Sequence, residues 1–334
     1  FNALRFSRVQ AMTKYYSPLR LSIVLFIGIL CTSSVTAQND KKPATTLPPI
    51  ESLALETTDG VLLSAKYFPG TKGKDAVPII MLHSMINAAS TGATYYKLAG
   101  DIQKFMGHAV IVPDLRGHGE STKRRNPRDP NSTITINSEK FTKAEFTTVG
   151  KDIEACKKFL MGKNNKGELN IEKLCVIGSD ASAIVALNWA VYDWNQKSNV
   201  LIKNGQDVKA LILLTPVASY KGFTAQTALN HVVIQRTLSI MILAGKFDTK
   251  YYSGSKRIYN QLARFHPDKF ENEKDKLENG SLFEYGLNTA NQGSGILSVS
   301  NLKPNPRDLI ADFIRYRLEN QDRFGWKNRS GTAE

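Results

Sequence analysis

Apolar residues along this chain follow two patterns that alternate. VPIIMLHS (77–84), AVIVPD (109–114), KLCVIG (173–178), VKALILLTP (208–216) and LSIMILAG (238–245) are almost continuously apolar, as strands buried on both faces must be. Between them, apolar residues recur three or four apart: Tyr95, Leu98, Ile102 and Phe105, then Phe146, Val149, Ile153, Cys156 and Leu160. Each set falls on one stripe of a helix. ASAIVALNWAVYDW (181–194) is apolar nearly all round and predicts an internal helix. SKRIYNQLARF (255–265) and PRDLIADFIRYRL (306–318), with Pro306 near its start, predict two more, and SLFEYGL (281–287) a final strand.

At the front of the domain, ESLALETT and VLLSAKYF flank Asp59-Gly60, a tight-turn dipeptide, and predict a β-hairpin. Residues 117–140 are polar and read as a loop. The result is an α/β chain with eight strands, mostly parallel, in a three-layer sandwich of helix, sheet and helix. Functional loops then lie at the carboxyl ends of the strands. About twenty residues separate the 208–216 strand from the 239–244 strand, too few for a large lid domain, so the cleft should be open and shallow.

The 334 residues, 42% apolar and 22% charged, suit one large domain. Lys14 and Arg20 precede LSIVLFIGIL, and CTSSVTA follows, ending in the small residues Val35-Thr36-Ala37. Residues 1–37 thus read as a cleaved signal peptide, with 1–11 an upstream extension before Met12, and the protein as secreted or periplasmic. An uncleaved membrane anchor is the alternative, although the apolar core is shorter than a span of about 20 residues. Residues 38–50 read as a linker, 51–320 as the domain and 321–334 as a polar tail.

Losing Arg5, Arg8, Lys14 and Arg20 with the leader takes the formal charge from +14 to +10, so the protein stays basic. The densest basic stretch, STKRRNPRDPNST, has no aromatic residues to stack bases, which argues against nucleic acid. Cys156 and Cys175 are expected as buried free thiols on a helix and a strand.

The chemistry centres on CVIGSDASA (175–183), where a strand turns into a helix. A nucleophile elbow is a strained turn whose residues two before and two after the apex must be small. With Asp180 at the apex these are Gly178 and Ser182. With Ser179 they include Ile177, and with Ser182 they are Asp180 and Ile184, both of which clash. If this stretch is such an elbow, as the resemblance described next implies, Asp180 takes the nucleophile's place, with Ser179 beside it.

HAVIVPDLRGHGES (108–121) resembles the strand-and-loop signature of α/β-hydrolases of the monoacylglycerol-lipase, lysophospholipase and serine-aminopeptidase type. MLHS resembles their oxyanion segment, with His83, Ser84 and Met85 at the cleft and Ser84 in place of a glycine. ILAGKFD resembles the segment ending in the triad acid, which puts Asp248 at that position. The resemblance spans roughly residues 51–320 and implies an α/β-hydrolase fold with a nucleophile, an acid and a histidine after the last strand. That last segment, EYGLNTANQGSGIL, has no histidine, and the position near Gln292 is vacant.

Among the other histidines, His83 and His118 match scaffold positions, and His266 ends a helix away from the elbow. His231 lies in a connection that could overhang the site. Asp180 and Asp248 would be two carboxylates in one cleft, whose repulsion raises one pKa, or else solvated remnants. The N–H groups of Ala181 and of the Ser84 segment would form an anion-binding nest, which Asp180 would bias toward neutral or cationic ligands. No metal site or cofactor is expected. The expected function is binding by a catalytically degenerate hydrolase fold. The alternative is an active ester or acyl hydrolase using Asp180, Ser84 or Ser179 with an unconventional base.

Overall fold

The computed structural model describes residues 46–198, 203–267 and 269–330. The expected signal peptide, residues 38–45 of the expected linker and residues 331–334 of the tail lie outside them.

The hairpin at the front forms as expected. Strands β1 (Glu51–Glu56) and β2 (Val61–Phe68) pair antiparallel from Glu51↔Tyr67 to Glu56↔Leu62. Gly60 takes the left-handed conformation (φ 79°) at the turn. The remaining strands are β3 (Pro78–Leu82), β4 (Ala109–Pro113), β5 (Lys123–Asn126), β6 (Asp129–Thr135), β7 (Leu174–Ser179), β8 (Val208–Leu214), the two-residue pair β9 (Ser219–Tyr220) and β10 (Phe223–Thr224), β11 (Ser239–Gly245) and β12 (Leu282–Leu287).

The helices are α1 (Tyr96–Asp101), α2 (Lys143–Thr148), α3 (Gly150–Asn165), α4 (Ala181–Trp194), α5 (Gln226–Leu229), α6 (Thr249–Ala263), α7 (Glu273–Asn279) and α8 (Pro306–Ile314). None is long and apolar enough to cross a membrane among the described residues.

All eight expected strands join one sheet in the order β1-β2-β4-β3-β7-β8-β11-β12, parallel from β4 onward. The stretch 117–140, expected as a loop, adds two more strands, so the sheet has ten. β5 pairs antiparallel with the start of β2, and β6 pairs with β5. Their exposed, charged side chains hide the pattern that marks a buried strand.

The apolar runs are buried on both faces because alternate residues enter different cores. Ile80, Leu82, Val176, Leu211 and Leu213 pack with α3 and α4, and Ile79, Met81, Ile177, Ile212 and Leu214 with α1 and α8. Cys156 and Cys175 are free and buried in opposite cores, too differently placed to pair.

The expected stripe on 95–105 is correct up to Ile102. The helix then continues as a π turn over Ile102–Met106, which turns Phe105 outward (72% exposed) and buries Met106 instead. In the PDLRGHGES loop, Arg116 donates to Asp152 (2.6 and 2.9 Å) and Asp59 (2.8 Å), tying β4 to α3 and to the front hairpin. The tail packs back on the domain: Asn170 donates to the Phe324 carbonyl (2.8 Å), and Arg329 pairs with Glu172 and Asp207.

Candidate functional site

Asp180 sits at the turn from β7 to α4 with φ 52° and ψ −116°, a conformation a non-glycine residue holds only under strain. Its N–H donates to the Leu214 carbonyl (3.0 Å), which pins the apex to the end of β8. Space around the apex is tight. A Cβ on Gly178 would lie 2.9 Å from the Ala183 backbone. Ser182 accepts from the Ser179 N–H (2.8 Å) and donates to the Leu82 carbonyl (3.0 Å), which ties the elbow to β3. Ala181 opens α4, and its N–H has no backbone acceptor among the described residues outside the helix.

The segment after β12, where the sequence resemblance looks for a histidine, packs directly onto this apex. Gly293 (φ 55°) approaches so closely that a Cβ there would lie 2.3 Å from Asp180 Oδ2 and 2.5 Å from Ser179 Oγ. Four hydrogen bonds hold the segment down. Ser294 N–H donates to Ser179 Oγ (2.9 Å), and Gly293 N–H to Thr215 Oγ1 (2.9 Å). Thr215 donates to Gln292 Oε1 (2.9 Å), and Gln292 Nε2 to the Gly245 carbonyl (3.1 Å). The ends of β7, β8 and β11 are thereby sewn together over the elbow. Asp180 is 8% exposed, so the open cleft expected from the short β8–β11 connection is closed at its centre by the loop after β12. Cavities of about 780, 450, 440 and 430 Å³ lie elsewhere, none lined by Asp180, Ser179 or Gly293.

Burial pushes the Asp180 carboxyl up to about 6, against hydrogen bonds from the Ser84 and Ser179 hydroxyls that pull it down. Ser179 Oγ lies 3.1 Å from Oδ2. Tyr95, fully buried, donates to the Leu82 carbonyl (3.3 Å), and burial together with the Asp180 charge raises its phenol. The partners of Asp180 are thus hydroxyls and backbone, and none is an imidazole.

Each histidine named from sequence is engaged elsewhere. His83 donates from Nδ1 to the Ser84 carbonyl (2.9 Å) and accepts the Leu115 N–H at Nε2 (2.9 Å), so both ring nitrogens are occupied in the neutral ring. Burial, with His118 beside it, lowers its pKa to about 3. His118 packs edge-on against His83 at 5.0 Å and bonds the Arg116 carbonyl. His231 accepts the Val233 N–H (3.3 Å) within its own turn, and His266 bonds Ser281 (2.7 Å). Met85 is buried in the core shared with α3 and α4.

Asp248 has a local partner of its own. It caps α6, accepting the Tyr251 N–H (3.3 Å), and it is not among the groups that shift Asp180. Asp248→Ala is therefore expected to cost about 1 kcal/mol, the worth of an N-cap, in urea unfolding. A two-carboxylate site would show a change in Asp180 titration instead.

Four residues join the site that the sequence does not single out for it: Tyr95, Thr215, Gly293 and Ser294. By its spacing Tyr95 reads only as a helix core position. Thr215 and Gly293 carry a usable signal, a polar residue ending a buried strand and a glycine in the segment that lacks its histidine.

No protein-family model matches the chain, and no curated protein is similar to it in sequence. Solved structures are similar in fold. An esterase of Pyrococcus furiosus superposes with a TM-score of 0.53 at 15% identity, over 81% of this chain and 92% of that one. A fungal esterase from Rhizomucor miehei gives 0.53 at 13% identity, over 81% and 85%. A dienelactone hydrolase from Anabaena variabilis gives 0.51 at 13% identity, over 80% and 99%. At such identities the likeness is one of fold alone.

Proposed function

We propose that this chain, an α/β-hydrolase by fold, is an exported protein that has lost hydrolysis and acts by binding. The observation that carries this reading is the closure over the elbow. Asp180 stands at the strained turn from β7 to α4, no imidazole touches it, and Gly293 covers its carboxylate within a set of satisfied hydrogen bonds. A serine mechanism needs an imidazole to take the hydroxyl proton, and an aspartate mechanism needs one to activate the water that cleaves the ester. Each also needs substrate at the apex, where Asp180 is only 8% exposed beneath the Gly293 segment. The signal-like leader supports export, and PDLRGHGES supports descent from the lipase and aminopeptidase group.

A second reading rests on the Asp180 pKa near 6, a value suited to acid–base work at neutral pH. One experiment separates the two. Purified protein is expected to hydrolyse short-chain p-nitrophenyl esters no faster than buffer, with no change in Asp180→Ala. Turnover that disappears in Asp180→Ala would overturn the proposal in favour of the active hydrolase.

A further inference from the structure

Away from the elbow, the sheet ends at β1 in an edge that is open among the described residues. β2 pairs along one side of β1, and no backbone group of Glu51–Glu56 bonds outward. In an antiparallel edge strand every second residue turns its N–H and C=O away from the sheet, a template for another strand. Lysine or proline ordinarily guards such an edge, but the middle of β1, Ser52-Leu53-Ala54-Leu55, carries neither.

Beside this edge runs a groove of about 450 Å³ whose far wall is Ala155, Lys158, Phe159, Gly162, Lys163 and Lys166. Steps of three and four along α3 and into its C-terminal end place these on one stripe. The floor is apolar, from half-buried Leu55 and Phe159. Lys158 and Lys166 on the rim are exposed and have no ion-pair partner among the described residues, whereas Lys163 pairs with Glu51 and Glu168. Gly162 lies in the interior of α3, where a glycine costs helix stability. A Cβ there would meet nothing within 4 Å, so no packing requires the glycine. Its effect is to leave the groove unobstructed.

The geometry points to the β1–α3 groove as a docking site for an extended acidic peptide segment of a partner protein, added as a further strand on β1. The β1 backbone supplies the hydrogen bonds, Leu55 and Phe159 receive one set of alternate side chains, and Lys158 and Lys166 meet carboxylates. A second copy of this chain fits less well, because pairing β1 with β1 would bring two lysine rims together. Residues 38–50, with Lys41 and Lys42 against Asp40, have the wrong sign to be the occupant.

Fluorescence anisotropy of the full chain with a labelled peptide alternating valine and glutamate tests this, with the valine–lysine peptide as counterpart. The acidic peptide is expected to bind, and the basic one not. Binding should weaken about tenfold between low and high salt, and about tenfold in Lys158→Glu/Lys166→Glu. Gly162→Gln should raise the thermal midpoint while weakening the peptide about tenfold, opposite shifts that separate a filled groove from a damaged fold. The proposal is overturned by any of three results: no binding at about 1 mM protein, equal binding of the two peptides, or unchanged affinity in the lysine variant. A dimer in sedimentation that dissociates on Ala54→Pro would also overturn it, assigning the edge to a second copy.

Discussion

Asp180→Asn is expected to make the protein more stable by about 3 kcal/mol at mildly alkaline pH, and to leave it unchanged in strong acid. The folded protein holds this carboxyl near 6, against 3.8 for the unperturbed group, because burial disfavours its charge. Between those values the folded state binds more protons than the unfolded state, so the contribution of Asp180 to stability falls as pH rises through the window. Above about 6 the penalty is complete. Its size follows from the gap between the two pKa values, since raising a pKa by one corresponds to about 1.4 kcal/mol. Asparagine removes the charge, keeps the shape, and tolerates the positive φ.

The histidines act in the opposite sense. His83, held near 3 when folded, contributes stability above the unfolded imidazole range that is lost as pH falls. The quantity to measure is therefore the difference between variant and parent in urea unfolding across pH, where the histidines cancel. A flat difference would mean that Asp180 is solvated.

Gly293→Ala is expected to destabilise by about 2–4 kcal/mol. The residue has φ 55°, and its new methyl would meet Asp180 Oδ2 at 2.3 Å and Ser179 Oγ at 2.5 Å. The apex cannot yield easily, since its N–H is bonded to the Leu214 carbonyl. The segment must lift instead, stretching the Gly293–Thr215 and Ser294–Ser179 bonds. Positive φ costs about 1 kcal/mol on adding a Cβ, and overpacking about 1–3 more. Lifting the cover also rehydrates Asp180, so its pKa should return toward the usual carboxylate range. The gain from Asp180→Asn should then shrink in the Gly293→Ala background. Additive effects in that double-mutant cycle would show that Gly293 does not seal the carboxyl.

Both predictions use a contact that no stretch of sequence displays. The parts around it are readable in different degrees. The buried strands are legible because a strand covered on both faces must be apolar at every position, as PIIML and SIMILAG are. The apex is legible because steric demands two residues either side single out Asp180. The β5–β6 hairpin is not, since Lys123, Arg124 and Arg125 lie on an outlying, exposed extension where burial imposes no pattern. Phe105 departs from its expected face because a π turn shifts the helical stripe after Ile102. Asp248, which the sequence resemblance reads as the triad acid, is recorded in the structure as a helix cap.

The chain's own residues thus determined the fold class, the identity of the apex residue and the absence of a histidine after the last strand, because each depends on a local pattern or a simple presence. Only the tertiary structure decided that the elbow is closed and its carboxyl held near neutrality. Asp180, Thr215, Gly245 and Gly293 come from four separate strand ends. The desolvation that shifts a carboxyl is set by whatever the fold brings against it, however distant in the chain.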